Sequence, residues 1–116
     1  MRLVLALIQP TKLRAVQEAL AKIGVERMTV CDALGYGRQG GQSERASREL
    51  LGPRLLRKVA LEIAVNEDFL ARTVETIATV ARSGGEGQIG DGKVFVLPLV
   101  EVVRLSDTVR GAEAVS

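Results

Sequence analysis

The chain of 116 residues has no histidine, no tryptophan, a single cysteine and only 3% aromatic residues. Without histidine there is no Ser-His or Cys-His nucleophile pair and little scope for zinc chemistry. A lone Cys31 excludes an internal disulfide and any CxxC metal or redox site, and reads as a small packed residue. Scarce aromatics remove the base-stacking platform of an RNA-binding sheet, because Tyr36, Phe69 and Phe95 do not form the required pair of motifs. A net charge of +2 is too small to argue for nucleic acid. No apolar run reaches the roughly 18 residues of a membrane span. Met1-Arg2 enters an apolar run without a small-residue cleavage site, which argues against a signal peptide. These absences point to one cytoplasmic domain and weigh against hydrolytic enzymes.

What is present concentrates in Gln88-Ile89-Gly90-Asp91-Gly92-Lys93, followed by the apolar run Val94-Phe95-Val96-Leu97. Glycines let a backbone approach a ligand closely. A lysine supplies a mobile charge that suits phosphate. The run after them reads as a buried strand. Gly85 to Gly90 fits G-x-G-x-x-G, and Gly87 to Lys93 fits G-x-x-x-x-G-K. Both motifs require a strand before the loop and a helix after it, since the helix N-terminus holds the phosphate. Here a helical pattern precedes and a strand follows, and Val94 offers no hydroxyl to magnesium. The stretch is read as an anion-holding loop on the edge of a sheet, or else as a plain glycine-rich turn with Lys93 solvated.

Taken in order, Leu3 to Ile8 is continuously apolar, as in a strand buried on both faces. Thr11 is placed to cap a helix carrying Leu13, Val16, Leu20 and Ile23, which Gly24 ends. Met28 to Leu34 reads as a second strand. Val59, Leu61, Ile63 and Val65 alternate with smaller or polar residues as a third. Asn66 can cap the next helix, whose stripe is Leu70, Val74, Ile77, Ala78 and Ala81. Pro98 marks an edge or a bulge, because it cannot donate to a ladder. Arg104 to Ser116 reads as a polar tail. The pattern predicts an α+β fold, a ferredoxin-like βαββαβ sandwich with a long loop between strands 2 and 3. The doubly apolar first strand calls for a second subunit to cover the open face of the sheet.

Gly37 to Arg57 is rich in polar residues and glycine and lacks a period, and a loop of about 20 residues in a small domain is usually functional or mobile. From Gly35 through Lys58 six basic residues face two acidic ones, giving +4 within a chain of +2. This suits an anionic ligand or partner. Such a fold hosts unrelated functions, so the site must decide. A metal-carrying module would need paired cysteines. A phosphate-holding hydrolase would need a general base, and none is evident. A nucleotide-binding regulator needs only glycine loops, lysine and arginine.

Gly35-Tyr36-Gly37-Arg38-Gln39, Lys58, Ile89-Gly90-Asp91-Gly92-Lys93-Val94-Phe95-Val96 and Arg104 resemble the PII nitrogen-regulatory signal transduction proteins, and the resemblance covers nearly the whole chain. It implies one domain over residues 1–116, with a T-loop at about 37–57, a glycine-rich B-loop at about 82–93 and a C-terminal loop and tail at about 104–116. It implies a homotrimer that binds ATP or ADP in the clefts between subunits. With Mg-ATP such a trimer also binds 2-oxoglutarate at the base of the T-loop. Its non-catalytic signalling works through target proteins such as an ammonium transporter or a nitrogen-assimilation enzyme or regulator, without nucleic acid or membrane insertion. Residue by residue, the resemblance puts Thr29, Gly35 and Ala64 around the adenine, and Gly37, Arg38 and Gln39 at the phosphates. Gly90, Asp91, Gly92, Lys93 and Arg104 form the phosphate-facing group. Gln39, Lys58, Ile89 and Gly90 are placed at 2-oxoglutarate, and Gln39 also at magnesium.

The sequence departs from that family at several positions. Ser106 stands where a second arginine is common, and Gln88 where a basic residue is common. The glycine loop is lengthened through Gly85-Glu86-Gly87. Leu51 occupies the place of the usual T-loop tyrosine and has no hydroxyl to nucleotidylate. Two alternatives stay open: a PII-like sensor of ADP/AMP or of another carboxylate, and a slow phosphatase or ATPase.

Overall fold

A computed structural model describes residues 1–36 and 55–116. Strand β1, Arg2–Ile8, leads into a 3-10 turn at Pro10–Lys12 and helix α1, Leu13–Lys22. Strands β2, Thr29–Tyr36, and β3, Leu55–Val65, are followed by helix α2, Glu67–Ala81. Strand β4, Gly92–Pro98, and the short helix α3, Ala112–Val115, complete the chain. The order within the sheet is β2-β3-β1-β4, and every neighbouring pair is antiparallel. This is the ferredoxin-like βαββαβ arrangement expected from the pattern.

Alternation along β1 divides its side chains between the two faces. Val4, Ala6 and Ile8 are buried, and they stand opposite Ile63, Leu61 and Val59 of β3. Val16 and Leu20 of α1 and Ile77 and Ala81 of α2 close over them as one core. Thr73 is the buried polar residue among those described, and its hydroxyl donates to the Phe69 carbonyl at 2.7 Å. Helix α1 ends as the sequence suggests. Gly24, at φ +89°, donates to Ala21, and Val25 donates to Leu20, which is the paired Schellman closure.

Several expectations needed correction. Thr11 does not cap α1: it lies inside the 3-10 turn that begins at Pro10, and no side chain caps the helix. Asn66 holds the extended backbone of an N-cap, yet its side chain turns away and donates to the Ala112 carbonyl at 3.1 Å. Strand β3 starts at Leu55, so Leu55 to Arg57 extend a hairpin with β2 rather than a loop. Pro98 does close an edge strand. The segment from Arg104 is more than a polar tail. Val103 bridges Arg110, Arg104 N–H donates to Val109 at 2.9 Å, and Gly111 N–H donates to Val102 at 2.9 Å. Thr108 takes the left-handed turn at φ 58°.

Among the described residues nothing covers the second face of the sheet. Cross-strand register places Leu5 opposite Phe95 and Leu3 opposite Leu97, with Leu7 in the same β1 row. Phe95 and Leu97 are 43% and 41% exposed. A band of this kind marks an association surface.

Candidate anion-binding site

The glycine loop joins the end of α2 to β4 and is organised by one carboxylate. Asp91 accepts hydrogen bonds from Ser83 N–H at 3.0 Å, the Ser83 hydroxyl at 2.5 Å and Gln88 N–H at 2.8 Å. The hydroxyl bond is the largest of the effects that lower its pKa from 3.8 to about 2, with the two backbone bonds next. Gly87 N–H closes back on Ser83 at 2.9 Å. Asp91, read from the sequence as phosphate-facing, therefore directs its charge into the loop itself. It shapes the backbone that Gly90 and Gly92 present. Beside this loop lies a cleft of about 560 Å³, floored by Ile8, Ile77 and Val94 and edged by Arg82, Gln88 and Lys93.

Three separate segments converge on the Gly90 carbonyl. Gln9 Nε2 donates to it at 2.7 Å, and Lys58 Nζ donates to it as well. Lys58, Ile89 and Gly90, three of the residues assigned to 2-oxoglutarate, are thus brought to one place. Gln9 was missed. Its signal was its position directly after a buried strand and before Pro10, where a side chain leaves the sheet end. Gly35 lies on the same face of the hairpin, and a Cβ there would press on Lys58 Cγ at 3.3 Å. Lys93 pairs with Leu7 on that face too. Gly37, Arg38 and Gln39 lie outside the described residues.

The remaining assigned residues sit elsewhere. Thr29 opens β2 opposite Glu62, and Ala64 pairs with Leu3. Along β3, Ala64 is six residues from Lys58, about 20 Å at strand rise. Arg104 follows β4 at the Ala64 end of the sheet. It lies beyond Pro98, the residue opposite Arg2, and its Nη1 donates to the Glu113 backbone oxygen within α3. Helix α3 is in turn tied to Asn66 at the end of β3. A smaller cleft of about 280 Å³ at this end is lined by Arg27, Ala64, Asn66, Phe69 and Val115. The assigned residues therefore form two groups at opposite ends of one sheet: Gly35, Lys58 and Gly90 to Lys93 at one, Thr29, Ala64 and Arg104 at the other. Measured along the strands, the Lys93–Leu7 pair is four residues, about 13 Å, from the Leu3–Ala64 pair.

Comparison with known proteins decides the family. The family model described as Nitrogen regulatory protein P-II matches residues 1–108. The chain belongs to the PII family. It is 44% identical over 115 residues to nitrogen regulatory protein GlnK1 of Methanosarcina mazei, covering 99% of this chain and 97% of that protein. It is 41% identical to nitrogen regulatory protein P-II of Rhizobium etli, with 98% and 99% covered. Among solved structures, Arabidopsis thaliana PII bound to citrate superposes with a TM-score of 0.78 at 33% identity, covering 98% of this chain and 88% of that one. As a PII protein the chain is a nitrogen-regulatory signalling protein by family, and the relatives named here are regulators rather than enzymes. None of the helices described is long and apolar enough to cross a membrane. Among the described residues no cluster of carboxylates and cysteines could hold a metal on its own.

Proposed function

We propose that this PII protein is a cytoplasmic, non-catalytic regulator that works as a homotrimer and binds ATP or ADP between subunits. The observation that carries this reading is the division of the site. One end of the sheet carries the glycine loop and Lys93, and the other carries Thr29 and Ala64, with Arg104 bonded to the short helix that Asn66 holds. A neighbouring copy would bring one chain's loop end against the other's arginine end. The uncovered band of Leu3, Leu5, Leu7, Phe95 and Leu97 supports the same assembly. Backbone N–H groups and cations suit a polyphosphate, each charge-assisted bond contributing roughly 1.5–3 kcal/mol.

With Mg-ATP, 2-oxoglutarate would be held by Gln39, Lys58, Ile89 and Gly90. Gln39 would supply a side-chain oxygen to magnesium, an ion that prefers oxygen ligands and would neutralise phosphate charge. The T-loop would then dock on or release target proteins such as an ammonium transporter or a nitrogen-assimilation enzyme. A second reading keeps the scaffold but changes the signal to another carboxylate or to ADP/AMP. The citrate-bound Arabidopsis relative favours it.

Light scattering combined with ATP calorimetry on the wild type and Lys93→Met tests the proposal. The wild type is expected to have the mass of a trimer. The variant is expected to keep that mass and lose about 2 kcal/mol of ATP binding, or roughly thirtyfold. A stable monomer, or an unchanged affinity in the variant, contradicts it. Steady phosphate release from ATP would move the protein into the hydrolase class.

A further inference from the structure

We infer that Asp107 is an internal competitor for the ligand phosphate at Arg104, and that it sets how the site responds to ligand charge. The inference rests on the nucleotide reading above. Arg104 has five N–H donors in a rigid fork. Its Nε donates to both carboxylate oxygens of Asp107, at 3.0 and 3.1 Å, and its Nη2 donates to Oδ2 at 2.7 Å. Its Nη1 reaches the backbone oxygens of Glu113 at 3.3 Å and Ser116 at 3.4 Å. The Nε–Nη2 edge is the one that binds a carboxylate or phosphate bidentately. Asp107 therefore occupies the edge a phosphate would need.

The carboxylate is also fixed in place. Its Oδ1 accepts from Val109 N–H at 3.1 Å, inside the hairpin that Thr108 turns. Position 106 is serine, and Arg110, the next cation along the chain, is paired with Glu101 at 2.8 Å. A phosphate that takes the Arg104 edge must displace Asp107 and then lie beside a free carboxylate. That opposition grows with ligand charge, so a triphosphate is disfavoured more than a monophosphate. The sequence offered a hint in Ser106, where one cation fewer is available, but gave no sign that the remaining cation is itself engaged.

The test is calorimetry of ATP, ADP and AMP on the full assembled protein as wild type, Asp107→Asn and Arg104→Met. Asparagine keeps the Oδ1 acceptor for Val109 and removes the charge. Asp107→Ser, which keeps a hydroxyl acceptor, is the second variant should the first lose the wild-type melting temperature. The expected result is ATP tightened about fivefold to tenfold by either neutral variant, AMP changed less than about twofold, and ATP weakened by Arg104→Met. ATP binding that is unchanged or weaker in the Asp107 variants, with Arg104→Met still damaging, overturns the inference and makes Asp107 a mere support for Arg104. ATP binding indifferent to Arg104→Met overturns it while leaving the nucleotide reading intact. A wild type that binds no nucleotide overturns both.

Discussion

Gly92 stands where the glycine loop becomes a strand. A Cβ at this position would lie 1.7 Å from the Leu7 carbonyl oxygen, and the backbone is at φ +118°. Any side chain must push β4 off β1 at the pair Ile8–Gly92, beside Gln9 and the loop. Gly92→Ala is expected to destabilise the protein by about 3 kcal/mol, read as a lower urea midpoint, and to weaken ligand binding as well. Asp91, one residue earlier, acts through charge. Its carboxyl titrates at about 2 when folded, below the usual 3.8, because Ser83 and Gln88 donate to the ionised form. A depressed folded value contributes stability above the unfolded value, and that contribution disappears as pH falls through the folded one. The melting-temperature gap between wild type and Asp91→Asn is therefore expected to be full at pH 7 and to shrink between about pH 4 and 2. A gap independent of pH would mean that the carboxylate charge is not what holds the loop. That a glycine-rich loop leads into β4 was legible from Gly90-Asp91-Gly92-Lys93 alone. The inward direction of the Asp91 carboxylate was not, since it depends on where Ser83 and Gln88 place their N–H groups.

At the scale of elements, a single apolar period located β3 and both long helices, and continuous apolar runs located β1 and β4. The elements that were missed carry no apolar period. The hairpin from Val102 to Gly111 and helix α3 depend on Thr108 at φ 58° and on Asn66 reaching Ala112. Asn66 looked like a cap because its position is right, and only the folded-back C-terminal segment gives it another partner. Thr73 was overlooked in the α2 stripe for a related reason, since its hydroxyl is satisfied within its own helix by Phe69. That makes it nearly as compatible with the core as an apolar residue. Thr73→Val is expected to change stability by less than about 1 kcal/mol. Ile77→Ala, one turn on and fully buried, is expected to cost about 3–4 kcal/mol through the cavity it leaves. Chemical denaturation of both variants checks the contrast. Similar losses in the two would mean that the Thr73 hydroxyl is needed for more than its own helix.

For the whole molecule, the decisive feature is the separation of the two residue groups by the length of the sheet. The resemblance already implied a site shared between subunits; what it left open is the spacing of the two groups, because register and strand length are properties of the folded sheet. If two chains complete the site, the end carrying Gly90 also carries the carboxylate pocket, since Gln9 and Lys58 already meet at the Gly90 carbonyl. A keto acid entering there would pair with Lys58 and would need the metal on the ATP phosphates for its other end. Binding is then expected to be ordered, with little 2-oxoglutarate affinity alone or with ADP and clear affinity with Mg-ATP. Linkage requires 2-oxoglutarate to tighten ATP by the same factor. Lys58→Met is expected to abolish the 2-oxoglutarate heat while leaving the Mg-ATP titration within about threefold of wild type, because a lysine that pairs with the far carboxylate contributes roughly 1.5–3 kcal/mol to that ligand alone. Calorimetric titration of 2-oxoglutarate into the Mg-ATP complex of both proteins makes the measurement. No heat and no change in ATP affinity for wild type at millimolar ligand would show that this PII protein has kept the scaffold and not this signal. Citrate titrated under the same conditions would then test the carboxylate that a relative is known to accept.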